Sequence, residues 1–413
     1  MKIAAVIAEY NPFHNGHLLQ LDTIRETIGA DYIIVVMSGD FVQRGEPSIM
    51  DKYARCRVAL ACGADAVFEL PVYFALGSAE YFAHGAVSLL DKLGVVDILH
   101  FGSECGDISL LWECARLIAK ETDEYKRLLT FHLKEGKSYP LAISEAIKDL
   151  SELSDVFTKP NNILAIEYIK ALWQLKSTII PLTLQRKGAD FHSDILPTDG
   201  IPSANAIRKS LLDNTDNTLS HLTSSVPFAC LEALRQSKLL FQNDFSQILL
   251  YRLLQNIGLD KRLECFYDIS PELSNTISAN TMRFSSFEDF AHLCKSKNFT
   301  YTRICRGFMH ILLDMTQEHA DLIKTDGYCN YARLLGLRTK SDKSELLHQI
   351  KKNASIPIIT SPSKGMRQLT GSALISLKAD IHAANIYESI KAQKMTHMSP
   401  LNELTREIIR LPQ

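Results

Sequence analysis

Apolar and polar positions change in blocks along the first two hundred residues. Residues 2–8 (KIAAVIA) form a short apolar run rich in Ile, Val and Ala, and residues 18–29 (LLQLDTIRETIG) then space apolar side chains at helical intervals up to a glycine. The first pattern predicts a buried strand and the second a helix. The alternation repeats: a strand at 31–37 (DYIIVVM), a long loop at 38–50 (SGDFVQRGEPSIM), and a helix from about 51 to 62. A strand at 65–70 (DAVFEL), a helix near 78–93, a strand at 97–102 (DILHFG) and, after further helices, a strand at 179–185 (IIPLTLQ) continue it. A short helix over 203–212 opens on a serine cap. Strands alternating with helices at this spacing imply parallel crossovers, hence an α/β fold with an open parallel sheet and helices on both faces.

From about residue 227 the strand patterns vanish. FACLEALRQSKLL, FSQILLYRLLQNI and RICRGFMHILLDMTQ all read as helices, broken by a possible strand and turn within KKNASIPIITSPSK at 351–364. With 413 residues and roughly 100–200 per domain, two or three domains are expected. The patterns divide the chain into a Rossmann-like region over 1–215 and a mainly helical region over 226–413.

Composition narrows the class. Hydrophobic residues at 46% and charged residues at 22% exclude a disordered or fibrous chain. The start, MKIAAVIAEYNPFH, has too short an apolar run for a signal peptide, and no stretch of about 18 apolar residues offers a membrane span. The nine cysteines are odd in number and contain no C-x-x-C pair, so reduced thiols in a cytoplasmic protein are expected rather than disulfides or a zinc knuckle.

The net charge of −2 conceals an asymmetry. Lys plus Arg against Asp plus Glu counts 27 to 37 over residues 1–294, 13 to 6 over 295–367, and 5 to 4 over the rest. An acidic body therefore carries a basic segment, which suits either a solvated helical face or a polyanion-binding surface.

In a parallel sheet, ligands sit beyond the carboxyl ends of the strands, where loops and helix amino-termini converge. The stretch EYNPFHNGHLLQL stands at such a place. A helix beginning near Gly16 would leave backbone N–H groups pointing outward, and Gly16 would let an anion approach them. The helix dipole alone contributes only about 0.3–1 kcal/mol, so side chains have to supply more. His14 and His17, three apart, fall on one helical face where two imidazoles can donate to one polyphosphate. Asn11 and Pro12 would turn the chain at the strand end. A zinc site is a weaker reading, since helical metal pairs usually use i, i+4 spacing and a third ligand.

An H-x-G-H directly after the first strand of an alternating chain resembles the signature of the nucleotidyltransferase superfamily. IPSANAIRKS (201–210) is similar to that superfamily's second phosphate element, I-S-S-T-x-I-R; Ser203 and Arg208 match it, whereas Pro202 and Asn205 depart from it. Further blocks narrow the resemblance. AEYNPFHNGHL, MSGDFVQRGEPSIMDKYARCRVAL, GADAVFELP, FGSECGD and KPNNILAIEYI together are similar to the bacterial tRNA(Met) cytidine acetate ligase family, and more loosely so are FTYTRICR and YARLLGL.

That resemblance implies an enzyme that joins acetate to ATP, releases pyrophosphate, and passes the acetyl group to the exocyclic amine of the wobble cytidine of elongator tRNA(Met). It implies His14 and His17 as catalytic residues. It places ATP against Ile7, Ala8, Glu9, Tyr10, Asn11, Pro12, Phe13, His14, Asn15, Gly16, His17, Leu18, Leu19 and Gln20, with Gly102, Asn162, a cation at Arg186 or Lys187, and Ser203 and Arg208. Mg²⁺ is the expected companion of the nucleotide, with Asp40 as one candidate to help hold it. The 38–50 loop reads as a flap over the site, with Arg44, Lys52 or Arg55 reaching phosphate or acetate.

The basic segment supplies the mixture of cations and rings that suits RNA. Arg303, Arg306, Arg333, Arg338 and Lys340, with Phe299, Tyr301 and Tyr331, are the expected tRNA contacts. Two other readings share the core motif: a cofactor adenylyltransferase, which would not need about 190 extra residues, and a tRNA-binding protein that has lost its chemistry.

Overall fold

The computed structural model describes residues 1–120, 122–137, 139–150, 152–186, 201–213, 218–339, 344–395 and 398–412. Five strands expected from the sequence form one parallel array: β1 (Ile3–Ala8), β2 (Tyr32–Ser38), β5 (Ala66–Leu70), β6 (Ile98–Ser103) and β7 (Ile180–Gln185). Between β2 and β5 a small antiparallel pair, β3 (Phe41–Val42) with β4 (Glu46–Pro47), folds the long loop back on itself. β1 is central, paired in parallel with β2 on one side and with β6 on the other.

Side-chain alternation along these strands builds a core on each face. Ile3 and Ala5 of β1 with Ile34 and Val36 of β2 enter one cluster; Ala4, Val6, Ile33, Val35 and Met37 enter the other. The helices Asn15–Glu26, Lys52–Ala61 and Ala204–Asp213 cover the second face, and Ala79–Leu93 and Pro160–Gln174 cover the first. Caps set several of the helix starts. Asp51 accepts the Tyr53 and Ala54 amides at 3.0 and 2.9 Å, and Ser203 accepts the Ala206 amide at 3.0 Å.

The expectation that strands end near residue 227 is corrected. β8 (Ala332–Thr339) joins the edge of the array antiparallel to β5 and β10 (Ile409–Pro412) pairs in parallel with β8, neither of them foreseen, whereas β9 (Ile358–Ile359), also parallel to β8, falls within the possible strand expected at 351–364. The sheet order is β10-β8-β5-β2-β1-β6-β7. Helices make up most of the rest of this region; many of their buried side chains, such as Leu249, Phe308 and Tyr387, join the cluster of Ile3 and Ile34, whereas Leu231 and Leu234 join the other face's cluster and Leu369, Leu377 and Ile381 form a third. Among the described residues, no helix is long and apolar enough to cross a membrane, and all nine cysteines are unpaired.

Candidate active site

The pocket lies where the sheet's connections reverse direction. From β1 the chain proceeds outward through β2 and β5 on one side, then returns to β6 and β7 on the other, opening a crevice beyond the carboxyl ends of β1 and β6. Ile7, Ala8, Glu9, Tyr10 and Asn11 line it from the end of β1, Phe101 and Gly102 from β6, and Arg186 from just beyond β7.

His14 and His17 form the amino-terminal cap of the first helix. His14 Nδ1 accepts the Gly16 amide at 3.1 Å, His17 Nδ1 accepts the His14 amide at 3.2 Å, and the two rings stack with centroids 3.7 Å apart. Both Nδ1 atoms are acceptors, so both imidazoles are held as the Nε2–H tautomer. Burial drives the His14 pKa down to about 3, and it pulls His17 well below the ordinary value with help from His14 and Arg186. The rings therefore enter the pocket as neutral donors.

One expectation changes here. The first amides of the helix do not face an anion: Asn15 donates to the Ser225 carbonyl at 3.1 Å, Gly16 to His14 Nδ1, and His17 to the His14 carbonyl at 2.9 Å. Gly16 serves the imidazole instead, because a Cβ there would stand 2.9 Å from both His14 Cε1 and Ile201 Cγ2. The donors available to phosphate are side chains, not the helix terminus.

Of the remaining first-stretch residues, Gln20 lines the pocket and donates to the His100 carbonyl at 3.0 Å. Pro12, Phe13, Asn15, Leu18 and Leu19 are not part of the lining; Phe13 is fully buried, Leu19 is exposed, and Asn15 Nδ2 is tied to the Ser224 carbonyl at 2.7 Å. Ser203 and Arg208 both line the pocket. Arg208 donates to the Asn11 carbonyl at 2.8 Å, pairs with Glu46 at 3.1 Å and reaches Asn205 Oδ1 at 3.3 Å. The departure from the superfamily pattern at Asn205 thus supplies an amide oxygen that orients Arg208.

Asn162 is buried beside the pocket and is not among its lining residues. Its Oδ1 accepts the Glu104 and Cys105 amides at 2.9 and 3.1 Å, fixing the turn after β6, and its neighbour Asn161 lines the pocket instead. Lys187 lies outside the described residues. Gln43, Leu164 and Tyr168 also line the pocket; they lie inside blocks that carry the family resemblance but were not singled out there, and Phe82, which lines it too, belongs to none of those blocks.

The 38–50 loop contributes Gln43 and Arg44 to the lining, and the Gln43 amide donates to Glu9 Oε1 at 2.9 Å. Lys52 and Arg55 point elsewhere. Lys52 is buried, 2.7 Å from both Glu69 and Glu403 and 3.7 Å from Asp40. Arg55, fully buried, donates to the carbonyls of Glu9, Ser38, Gly39 and Met50, shaping the loop from beneath. Asp40 accepts the Lys52 amide at 2.8 Å, away from the pocket. Among the described residues no group of three or more His, Cys, Asp or Glu side chains is placed to hold a metal ion.

The expected tRNA contacts separate into two kinds. Arg303 keeps about a third of its side chain exposed, lies over the Phe299 ring, and shares Asp268 with Arg306, the latter mostly buried. Arg333 is buried, salt-bridged to Glu69 at 2.9 Å and to Glu403, and unavailable to a nucleic acid. Arg338 is half-buried and caps the Leu60 carbonyl. Tyr331 is buried against Asp380, and Lys340 lies outside the described residues.

A crevice at the strand reversal, paired histidines capping its helix and a serine–arginine element on the opposite wall define a nucleotidyltransferase. The HIGH Nucleotidyl Transferase family model matches residues 1–400. The chain is 39% identical to the tRNA(Met) cytidine acetate ligase of Clostridium perfringens strain SM101, over 97% of this chain and 99% of that protein. It is 36% identical to the protein of that name from Acetivibrio thermocellus, over 94% of both. The chain belongs to the tRNA(Met) cytidine acetate ligase family within the HIGH nucleotidyltransferases. Two crystal structures of Thermotoga maritima TmcAL match all of the chain: the apo form with a TM-score of 0.91 at 31% identity, and a complex with alpha-thio ATP with a TM-score of 0.88 at 32% identity.

Proposed function

We propose that this chain is an ATP-dependent tRNA(Met) cytidine acetate ligase. It activates acetate as acetyl-adenylate and transfers the acetyl group to the exocyclic amine of the wobble cytidine of elongator tRNA(Met), giving N4-acetylcytidine. The observation that carries this reading is the histidine pair, two neutral Nε2–H donors in one crevice, in a chain aligned end to end with relatives of that name.

In the first step an acetate oxygen attacks the α-phosphorus as pyrophosphate departs in line. Acetate arrives ionised, so this step needs positioning and charge neutralisation rather than a protein nucleophile. His14 and His17 donate to the polyphosphate from one wall. Arg208, braced by Asn205 and Glu46, and Arg186 bring positive charge from the others. Ser203 sets the start of the Arg208 helix, and Gly102 and Asn161 edge the space for the nucleoside. The chain builds no cage for magnesium among its described residues, so the ion would be carried on the nucleotide's own phosphates and waters.

In the second step tRNA approaches across the face that carries Arg303, whose partly exposed cation, resting over the buried Phe299 ring, suits a phosphate. The protein acts in the cytoplasm, where its tRNA resides. Incubation with ATP, labelled pyrophosphate and acetate, without tRNA, tests the first step. Label should enter ATP only when acetate is present; exchange that ignores acetate would point to a different carboxylate or to a cofactor adenylyltransferase.

A further inference from the structure

Glu9 is an acid in a pocket otherwise supplied with phosphate donors. It is the one carboxylate lining the crevice among the described residues, where a polyanion would be repelled by it. Something other than nucleotide affinity has to account for it. Its position is fixed: Oε1 accepts the Gln43 amide at 2.9 Å, and its own carbonyl accepts from Arg55 at 2.6 Å.

The loop that holds this carboxylate also touches the region where tRNA is proposed to bind. Gly45, two residues after Gln43, has φ +74°, and a Cβ there would collide with the backbone of Cys305 and Arg306. The Gly45 carbonyl accepts from Gln242 at 3.3 Å, and Gln242 in turn accepts from the Tyr301 hydroxyl at 3.1 Å. Glu9 is therefore linked, through the turn from Gln43 to Gly45, to the helix Tyr301–Leu312 that carries Arg303.

We propose that Glu9 is the general base of the acetyl-transfer step. This rests on the ligase reading above. The cytidine N4 nitrogen attacks the acetyl carbonyl of acetyl-adenylate and forms the C–N bond. The acyl C–O bond to phosphate then breaks, and AMP leaves with the electron pair. The proton lost from N4 passes to the Glu9 carboxylate and from there to solvent. An exocyclic cytosine amine is a poor nucleophile, so removing that proton as the bond forms is where a base acts, whereas acetate needs none in the first step.

Five charged or titratable groups face Glu9. Arg44 on its loop and Arg208 on the opposite helix favour the ionised carboxylate. Glu46 on β4 opposes them, Tyr168 faces it from the helix Pro160–Gln174, and Arg55 lies beneath. Burial outweighs the two arginines and raises its pKa above the ordinary carboxylate range, which brings it nearer to that of a working base.

The test separates the two half-reactions. Glu9→Gln should lower single-turnover transfer from preformed acetyl-adenylate to tRNA by about 10²–10⁴-fold, and lower acetate-dependent pyrophosphate exchange by less than about tenfold. The wild-type transfer rate should fall with pH along an acid limb that Glu9→Gln lacks and Glu9→Asp retains. Equal losses in both half-reactions would make Glu9 a nucleotide-binding or structural residue and overturn the proposal, as would unimpaired transfer. Wild-type protein with no acetate-dependent exchange would overturn the ligase reading instead, leaving the two failures distinguishable.

Discussion

His14 and His17 stack with 3.7 Å between ring centroids, and each commits its Nδ1 to a backbone N–H, leaving Nε2–H as the donor of both rings. In the proposed reaction this pair, rather than an exposed helix terminus, would meet the phosphate charge.

Removing either donor should therefore impair the adenylation step without unfolding the chain. His17→Ala and His14→Asn are expected to slow acetate-dependent pyrophosphate exchange by about 10²–10³-fold, the usual cost of losing one donor aimed at developing charge. Asn at position 14 is itself a good cap, so the circular dichroism spectrum should be retained. Gly16→Ala should reproduce part of the loss, because its methyl group displaces the His14 ring. Exchange rates within a fewfold of wild type would show that phosphate is held elsewhere.

The same geometry fixes a pH dependence. In the unfolded chain His14 takes a proton near pH 6.5, whereas in the folded protein its pKa is about 3. The unfolded state binds more protons between these values, so stability is lost as pH falls below 6.5. At about 1.4 kcal/mol per pH unit, wild type should lose roughly 2 kcal/mol relative to His14→Asn between pH 7 and pH 5. Urea titrations of both proteins at the two pH values measure this difference; parallel behaviour would mean the imidazole is not buried as a neutral ring.

Lys52 joins segments far apart in the chain, since its Nζ meets Glu69 of β5 and Glu403 near the carboxyl end, with Arg333 of β8 between the same two acids. Deleting one member of a buried charge network leaves the others uncompensated. Lys52→Met should cost about 3–5 kcal/mol of unfolding free energy, read from the urea midpoint and slope. A loss below about 1 kcal/mol would show that water reaches the cluster.

Arg303 keeps more of its side chain in solvent than Arg306 or Arg333. Arg303→Gln should weaken tRNA binding and reduce the slope of log affinity against log salt by about one, while altering tRNA-independent exchange much less. An unchanged slope would take this face out of the interface.

The sequence was most legible where local chemistry decides structure. Asp51 and Ser203 announce their helices because their side chains bond amides two or three residues on. The strands of the parallel array are apolar on both faces and read as such. β8 escaped because its apolar run is flanked by Arg333 and Arg338, which look like surface cations; only the fold brings Glu69 and Glu403 to Arg333 and the Leu60 carbonyl to Arg338. Lys52 and Arg55 misled for the same reason. In the site, the H-x-G-H spacing located the crevice but could not say that Gly16 would spend its amide on His14, or that Asn161 rather than Asn162 would face the pocket.

One assay joins both halves of the proposed reaction. Purified protein is incubated with labelled acetate, ATP and an unfractionated tRNA pool, and the RNA is digested to nucleosides. Label should appear as N4-acetylcytidine, confined to elongator tRNA(Met), and should require ATP. Protein that performs acetate-dependent pyrophosphate exchange yet leaves cytidine unlabelled would contradict the assignment of tRNA as the acetyl acceptor.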